Sequence, residues 1–560
     1  MLLATLIVPY RRCAAERDEM PHKAAAFLTP QLLIPIVVCG FAAMLRASLN
    51  ADRPIWFDEA FSWTLATEFG SAEIVERTGR DVHPPLYYLL LRCWISVFGD
   101  SLIAMRSLSV TVGTAAVGVA WLVGRGMAGM ESPEGGGDAA LPRSDLARRK
   151  LVGGLILSAL VASSAFQIRW SGEVRMYALL SLLFLLATLS AIRATSGDGY
   201  RKRWWIAFSL SCTALMYTHN YGTFSVVGLS AFVVLTVFFR WRHDRQDESW
   251  RAMGLCLAAI AGTAVLYLPW LPVLLAQKAQ VADDYWMQRF SWHSLAAAWD
   301  HLFIPENAYA AIQGTRGAVI LSLVVVLTLV LQVGGRWADR LCFWLTMTPI
   351  VLAVIISNVG SSIIGDRLFV LAHLSVLMMI TRAMIRWLDA TTAVLLTALL
   401  MIDGVYVHRR YQHQLNVADH QGIQAAMQIV NDSSDDSIPT IVLQPCVYFS
   451  ARYYATHRNL VMLYTLPENI RHYTGSPILR DGEFHSISEL AERIEPVVWI
   501  ITSSGYTAGY SEPFLPTDWV RDYTKTFPAV YAFEGEVRLS KYRRSSSRDD
   551  MRLPTQDGRK

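Results

Sequence analysis

The sequence predicts an α-helical polytopic membrane protein that carries a small α/β domain at its carboxyl end. Hydrophobic residues make up 53% of the 560 residues and charged residues only 17%, whereas an ordinary soluble domain has about 25% charged residues. Apolar runs of roughly 15–23 residues recur along the chain, and short basic clusters separate them. Beyond about residue 405 this pattern gives way to short apolar runs with frequent turn residues, which are typical of an α/β domain.

About eleven apolar segments are long enough to be transmembrane helices. Their orientation follows from the basic loops, because Lys and Arg concentrate on the cytoplasmic side of a membrane. The loops 125–150, 193–203 and 240–251 are strongly basic, and all three are cytoplasmic only if the apolar stretch 85–98 does not cross. That stretch is short and follows two prolines, which favours a juxtamembrane helix along the outer surface. The predicted spans are 31–49, 102–124, 151–166, 177–193, 204–218, 222–239, 253–272, 317–333, 341–357, 368–381 and 388–403.

This topology places the amino terminus inside, and the loop 50–101 and the carboxyl-terminal region outside. In that region, residues 440–443 and 497–501 read as short buried strands, with an amphipathic helix at 486–494 between them. The predicted organisation is a cytoplasmic segment 1–30, a transmembrane domain 31–404, an extracytoplasmic α/β domain 405–542 and a disordered tail 543–560.

The remaining composition limits the choice of partners. The net charge of +4 is small, and the Lys and Arg residues cluster at helix ends as topology signals, which argues against a nucleic-acid-binding surface. The seven cysteines are scattered, with neither a metal-ligand spacing nor a disulfide framework. We therefore expect inert cysteines and no nucleic-acid partner.

An acidic pair, Asp58 and Glu59, follows the first predicted span within the sequence Trp-Phe-Asp-Glu-Ala-Phe-Ser. Ionisable groups at a membrane boundary are costly unless they are solvated or functional. One interpretation is that the pair caps a helix beginning near Ala60. The other is a general base, because the surrounding aromatic residues would bury the pair and raise a carboxylate pKa. A single carboxylate suffices for inverting sugar transfer, since a departing phosphate needs no acid.

Three further polar residues occupy predicted outer turns. His83 precedes the juxtamembrane helix. It either caps that helix or donates a hydrogen bond to a phosphate. Glu173 and Arg175 lie between two spans, against the positive-inside trend. They either form a local ion pair, or Arg175 faces an anionic headgroup while Glu173 orients a sugar or a metal-bound group.

Two more outer turns carry polar residues. His219 and Tyr221 follow one span, where Tyr221 is either a ligand or an aromatic-belt residue. Arg367 precedes a late span. Its side chain either snorkels so that the guanidinium group reaches the membrane interface, or it holds a lipid phosphate through charge-assisted hydrogen bonds.

Together and in this order, these residues resemble the C-type integral-membrane glycosyltransferases. The branch is the one that contains the protein O-mannosyltransferases and the bacterial aminoarabinose transferases of lipid A. The resemblance covers residues 30–405. It rests on the Asp-Glu pair, His-Pro-Pro-Leu-Tyr-Tyr at 83–88, Glu-x-Arg-x-Tyr at 173–177, Thr-His-x-Tyr-Gly at 218–222 and an arginine before a late span.

The resemblance implies an inverting transferase that uses a polyprenyl-phosphate-linked sugar. It implies Asp58 at the position of the catalytic carboxylate, a juxtamembrane helix at 85–98 and Arg367 at the donor phosphate. Relatives often have Arg-Tyr followed by a proline-bearing span, whereas this chain has Arg-Leu-Phe at 367–369 without proline.

The predicted function is therefore sugar transfer from a polyprenyl-phosphate-linked donor to an extracytoplasmic glycolipid, polysaccharide or protein. The predicted location is the inner (plasma) membrane, with membrane lipid as a partner and the active site facing outside. No cofactor is predicted, and a divalent metal requirement is left open. The predicted catalytic residues are Asp58 and Glu59, and the predicted donor- or substrate-binding residues are His83, Tyr87, Glu173, Arg175, Tyr177, His219, Tyr221 and Arg367.

Two other functions are compatible with the membrane pattern. A transporter or flippase of lipid-linked sugars would also have many spans, but it should show internal repeats and helices broken at mid-membrane. The sequence shows neither. A catalytically inactive scaffold whose tail domain recruits envelope enzymes is the third interpretation, and the intact acidic pair is weak evidence against it.

Overall fold

The structure is a computed structural model. It describes residues 30–545 apart from 49–51, 131–141, 197–201, 244–246, 284–286, 288, 305–309, 334, 434, 436, 506–509 and 514. The helices are α1 (Pro30–Ala47), α2 (Phe57–Glu68), α3 (Ser71–Arg80), α4 (Leu86–Phe98), α5 (Leu102–Ala128), α6 (Arg143–Ser163), α7 (Ala165–Ser171), α8 (Tyr177–Thr195), α9 (Lys202–Thr218), α10 (Gly222–His243), α11 (Asp247–Tyr267), α12 (Leu271–Asp283), α13 (Trp292–His301), α14 (Ala310–Gln332), α15 (Trp337–Val359), α16 (Val370–Trp387), α17 (Ala390–Leu415), α18 (Gly422–Asn431) and α19 (Pro445–Tyr454). The strands are β1 (Thr440–Val442), β2 (Val461–Thr465), β3 (Phe484–Ser486), β4 (Val497–Ser503), β5 (Trp519–Pro528) and β6 (Glu536–Arg544).

Membrane-spanning helices dominate the chain. Within the described ranges, 8 helices are long and apolar enough to cross a membrane, or 9 if the bent pair α6–α7 forms one span. Each of the eleven predicted spans overlaps at least one helix, but the predicted number of crossings is not confirmed. The apolar part of α1 is short, and α9 has only 17 residues and begins with two basic ones. Helix α4, at 13 residues, is also short, as expected for a juxtamembrane helix.

A break between α6 and α7 was not expected from the sequence, which has neither glycine nor proline there. The two helices meet at 62°, and the Ser164 hydroxyl accepts the Gln167 N–H at 3.3 Å to begin α7. The buried Arg46 guanidinium donates to the carbonyl oxygens of Val161 at 3.0 Å and Ala162 at 3.2 Å. Such partners are needed because carbonyls freed in a membrane find no water. The break directs the turn after α7 towards α2.

Close helix packing holds this frame together. A Cβ built on Gly153 of α6 would stand 2.8 Å from the carbonyl oxygen of Gly124 on α5. Only a small residue fits there, which is the usual way for membrane helices to approach closely.

The carboxyl-terminal domain contains one six-stranded sheet with the strand order β3-β2-β1-β4-β6-β5. Strands β1 to β4 are parallel, and β6 runs antiparallel to both β4 and β5. The predicted strands at 440–443 and 497–501 correspond to β1 and β4. The helix predicted at 486–494 is a shorter 3-10 helix, Ile487–Glu492.

The predicted boundaries of the chain ends are only partly covered. Strand β6 ends at Arg544, so it includes the first two residues of the predicted tail 543–560. The rest of that tail after residue 545, and residues 1–29 of the predicted cytoplasmic segment, lie outside the described residues.

The carboxyl-terminal domain packs directly on α2. The rings of Phe57 and Phe449 lie 6.4 Å apart, and Trp56 meets Tyr531 edge to face at 5.5 Å. The Tyr454 hydroxyl accepts the backbone N–H of Ile55 at 2.8 Å. The domain therefore buttresses the segment that carries the acidic pair.

Candidate active site

The two acidic residues of α2 have separate environments. Glu59 is fully buried, and Arg106 donates to its two carboxylate oxygens at 2.9 Å and 2.6 Å. Arg53 lies 3.4 Å away, and the Val174 N–H donates at 3.0 Å. Burial alone raises the pKa of Glu59, but Arg106 and Arg53 outweigh it and hold that pKa below its usual value. Glu59, predicted to be catalytic, does not line the cavity that Asp58 reaches, and its contacts anchor the loop.

Asp58 is the member of the pair that reaches open space. Its Oδ2 lies 2.8 Å from Nη1 of Arg367 and 3.7 Å from Nε of Arg175, and its side chain is 15% exposed. Burial alone raises the pKa of Asp58, but Arg175 and Arg367 reverse the effect and leave the pKa below its usual value. The predicted rise of this pKa is therefore wrong, because it ignored two guanidinium groups that are distant in the chain.

An open cavity extends from Asp58, with about 940 Å³ of empty space that includes open solvent at its mouth. Seven of the predicted site residues line it, and they come from turns that are far apart in sequence. The lining residues are Phe57, Asp58, Phe61, Asp81, Val82, His83, Arg175, Tyr177, His219, Asn220, Tyr221, Val281, Ile363, Arg367, Leu368, His472 and Tyr473. The last two belong to the carboxyl-terminal domain, which sequence analysis had not connected with the site.

His83 is held by two charged neighbours. Its Nδ1 lies 2.9 Å from the Asp81 carboxylate, and its Nε2 lies 3.3 Å from Nη2 of Arg175. Since a carboxylate only accepts and a guanidinium only donates, the ring carries its proton on Nδ1 and accepts at Nε2. Burial lowers the pKa of His83 despite the opposing effect of Asp81, which agrees with a neutral ring. The residue that caps α4 is Pro85, so the alternative of His83 as that cap is not supported.

Arg175 contacts several of the side chains around the cavity. Besides Asp58 and His83, it donates to the hydroxyl of Tyr88 at 3.2 Å. The sequence had predicted Tyr87 in a binding role, but Tyr87 is 1% exposed and does not line the cavity. Successive side chains on a helix point in directions about 100° apart, so Tyr88 rather than Tyr87 contacts Arg175.

Glu173 also lies away from the cavity. The hydroxyl of Tyr531 donates to its carboxylate at 3.3 Å, and Arg53 lies 3.5 Å from it. Burial raises the pKa of Glu173. Arg53 in addition donates to the Tyr531 hydroxyl and to the carbonyl of Gly172 at 2.8 Å. The predicted sugar-orienting residue therefore belongs to a buried network that ties α2 to the carboxyl-terminal domain.

A metal site is not evident in the described ranges, where no three His, Cys, Asp or Glu side chains are grouped so as to hold an ion. The cavity lining instead combines two guanidinium groups with three tyrosines and the carboxylates of Asp58 and Asp81. The guanidinium groups suit a phosphate oxygen, because planar N–H donors and an anion form strong charge-assisted bonds. The Asp58 carboxylate suits proton transfer.

Solved structures with similar folds agree with this architecture. ArnT from Cupriavidus metallidurans in the apo state aligns with a TM-score of 0.53 at 11% sequence identity, over 90% of this chain and 97% of that chain. The same protein bound to undecaprenyl phosphate aligns with a TM-score of 0.43 at 13% identity, again over 90% and 97% of the two chains. The S. cerevisiae Pmt1-Pmt2 complex bound to the sugar donor gives a TM-score of 0.34 at 17% identity, over 45% of this chain and 35% of that chain. Neither a protein-family model nor a curated protein matches the sequence.

The fold is that of a multi-pass membrane protein, and it is similar to the fold of ArnT from Cupriavidus metallidurans. The fold implied by the motif resemblance is thereby confirmed.

Proposed function

We propose that this protein transfers a sugar from a polyprenyl-phosphate-linked donor to an acceptor outside the cytoplasm. One observation carries the proposal: the Asp58 carboxylate stands between Arg175 and Arg367 on the wall of a large cavity. Displacement of a phosphate by a hydroxyl group needs a base that takes the hydroxyl proton and cations that hold the phosphate, and this site offers both.

In the proposed reaction, Arg367 and Arg175 hold the donor phosphate. Asp58 accepts the proton of the acceptor hydroxyl group while the oxygen of that hydroxyl group attacks the anomeric carbon of the sugar. The bond from that carbon to the phosphate oxygen breaks, and the phosphate leaves with the bonding electrons. Attack from the face opposite the phosphate inverts the anomeric centre.

The same geometry makes the base and the donor compete for the arginines. The 2.8 Å contact between Asp58 and Arg367 occupies a donor group that a phosphate would use. A bound phosphate would draw the guanidinium away, and the pKa of Asp58 would then rise because the cation that depresses it has moved. The carboxylate would become a stronger base when the donor is present.

Sidedness rests on the distribution of basic loops. The site residues are on turns opposite the basic loops 125–150 and 240–251, so the positive-inside rule favours a site outside the cytoplasm. The acceptor would be a glycolipid, polysaccharide or protein of the cell envelope.

The experiment uses the full chain purified into lipid nanodiscs. Radiolabelled polyprenyl-phosphate sugars are incubated with envelope glycolipid, polysaccharide and protein fractions, and the anomeric configuration of any product is determined by NMR. Transfer with inversion supports the proposal. Movement of the intact lipid-linked sugar across proteoliposomes without transfer would support the flippase instead.

A further inference from the structure

The turn between α9 and α10 presents a histidine whose tautomer is fixed. Nδ1 of His219 accepts the backbone N–H of Tyr221 at 3.1 Å. A neutral imidazole carries one proton, so that proton is on Nε2, which is a hydrogen-bond donor. Among the residues that the structure describes, this buried Nε2 has no hydrogen-bond partner. Burial lowers the pKa of His219 well below its usual value, and nearby His83 and Arg175 reinforce the effect.

The next residue presents the complementary group. Nδ2 of Asn220 donates to the carbonyl of Val82 at 2.9 Å and to Oε1 of Gln277 at 3.2 Å. The Gln277 amide is oriented in turn by its donation to the Thr78 carbonyl at 2.9 Å. Both donor hydrogens of Asn220 are therefore used. Its buried Oδ1, an acceptor, has no partner within the described part of the chain.

A buried donor and a buried acceptor on consecutive residues are costly unless a ligand satisfies both. Both residues line the cavity that holds Asp58. The His219 ring lies 5.5 Å from that of His83, and His83 contacts Arg175. The pair therefore lies beside the end of the cavity that is equipped for a phosphate, which is where a phosphate-linked sugar would begin.

We propose that His219 and Asn220 form a subsite for a hydroxyl group on the sugar ring of the donor, and that this sugar is neutral at that position. The proposal rests on the proposed function. A hydroxyl group accepts from His219 Nε2–H and donates to Asn220 Oδ1 at the same time. An ammonium group only donates and leaves the histidine unsatisfied. A carboxylate only accepts and faces the lone pairs of Asn220.

The test measures binding to the full chain in nanodiscs with three kinds of probe: polyprenyl phosphate without sugar, polyprenyl phosphates bearing neutral sugars (mannosyl, glucosyl and arabinosyl), and polyprenyl phosphate bearing 4-amino-4-deoxyarabinose. At least one neutral-sugar donor should bind more tightly than the bare phosphate, and the amino-sugar donor should not. The variant His219→Phe keeps a ring but lacks the N–H. It should weaken the neutral-sugar donor by roughly tenfold and leave the bare phosphate unchanged.

Two controls separate binding from folding. Affinity for the bare phosphate reports an intact site in each variant, and His293→Phe replaces an exposed histidine on α13 and should change none of the affinities. Asn220→Ser, which shortens the acceptor, should reproduce the selective loss.

Each remaining outcome overturns a definite claim. Equal loss for all probes in His219→Phe would show that the residue only supports the turn. An amino-sugar donor that binds as tightly as the best neutral donor would refute the proposed selectivity. Wild-type protein that binds the bare phosphate but ignores the sugar would overturn the subsite alone. Failure to bind any of the probes would overturn the proposed function together with the subsite.

Discussion

Asp58 and Arg367 form a 2.8 Å ion pair although 309 residues separate them in the chain. The first lies in the opening turn of α2, and the second lies in the 3-10 helix Asp366–Phe369 that leads into α16. Their contact joins α2 to the segment that leads into α16, at the cavity wall. In the proposed function these two residues are the base and a ligand of the donor phosphate.

Replacing Arg367 should weaken the binding of polyprenyl phosphate. Removing one charge-assisted bond costs about 1.5–3 kcal/mol, so Arg367→Ala should lower the affinity by roughly ten- to a hundredfold. Titration of the bare lipid into nanodisc-held protein measures this. Arg543→Ala, which removes a half-exposed arginine of β6, is the control and should have no effect. Unchanged affinity in Arg367→Ala would mean that this arginine only anchors the helix in the membrane.

The pH profile of kcat/KM should show the effect of Arg175 and Arg367 on the pKa of Asp58. Because Arg175 and Arg367 hold the pKa of Asp58 below its usual value, the carboxylate protonates only as the pH falls through that lowered pKa. The acid limb assigned to Asp58 should therefore lie below the ordinary Asp pKa of about 3.9. Arg367→Gln removes one cation and should move this limb to higher pH. A limb at the same pH in both proteins would disconnect the arginine from the base.

Glu59 should matter for stability more than for chemistry. Glu59→Gln removes the buried carboxylate that Arg106 and Arg53 share, and breaking a buried ion pair typically costs about 3–5 kcal/mol. Because the pKa of Glu59 is lowered, the stability it contributes is present at neutral pH and lost as the pH falls through that lowered pKa. Thermal unfolding in detergent should show a clear drop at neutral pH that shrinks at acid pH. A stable Glu59→Gln protein with no turnover would transfer the catalytic role to Glu59.

Sidedness can be tested with single introduced cysteines. In a Cys93→Ser background, which removes an exposed thiol, Asp481→Cys should react with a membrane-impermeant maleimide in intact cells. Ser144→Cys should react only after the membrane is opened. Both positions are exposed, so a difference reports the side of the membrane. Labelling of Ser144→Cys alone in intact cells would invert the topology and place the site in the cytoplasm.

Several residues that line the cavity were predictable because charged residues at their positions are unusual for a membrane protein. Arg175 and Arg367 stand on turns that are predicted to lie outside, where the positive-inside trend disfavours arginine, and Asp58 follows the first predicted span. These positions require no knowledge of contacts. The strands β1 and β4 were likewise predictable, because buried parallel strands read as continuous apolar runs.

The rest depends on contacts between distant segments. Arg106, the partner of Glu59, is 47 residues away, and nothing local marks it. The direction of the Asp58 pKa was predicted wrongly for the same reason, since the aromatic neighbours are visible in the sequence and the guanidinium groups are not. The break at Ser164 carries no breaking residue, and its stability comes from Arg46 on another helix.

The most direct test of the central claim is the turnover of Asp58→Asn. Asparagine keeps the size of the side chain but cannot accept the acceptor's proton, so kcat should fall on the order of a hundredfold or more. In this variant the Asp58 carboxylate no longer competes with the phosphate for Arg367. Polyprenyl phosphate should therefore bind at least as tightly as it does to the wild type. Asp52→Asn, at an exposed carboxylate of the same loop, should retain full activity. Near-normal turnover by a properly inserted Asp58→Asn protein would contradict the assignment of Asp58 as the general base.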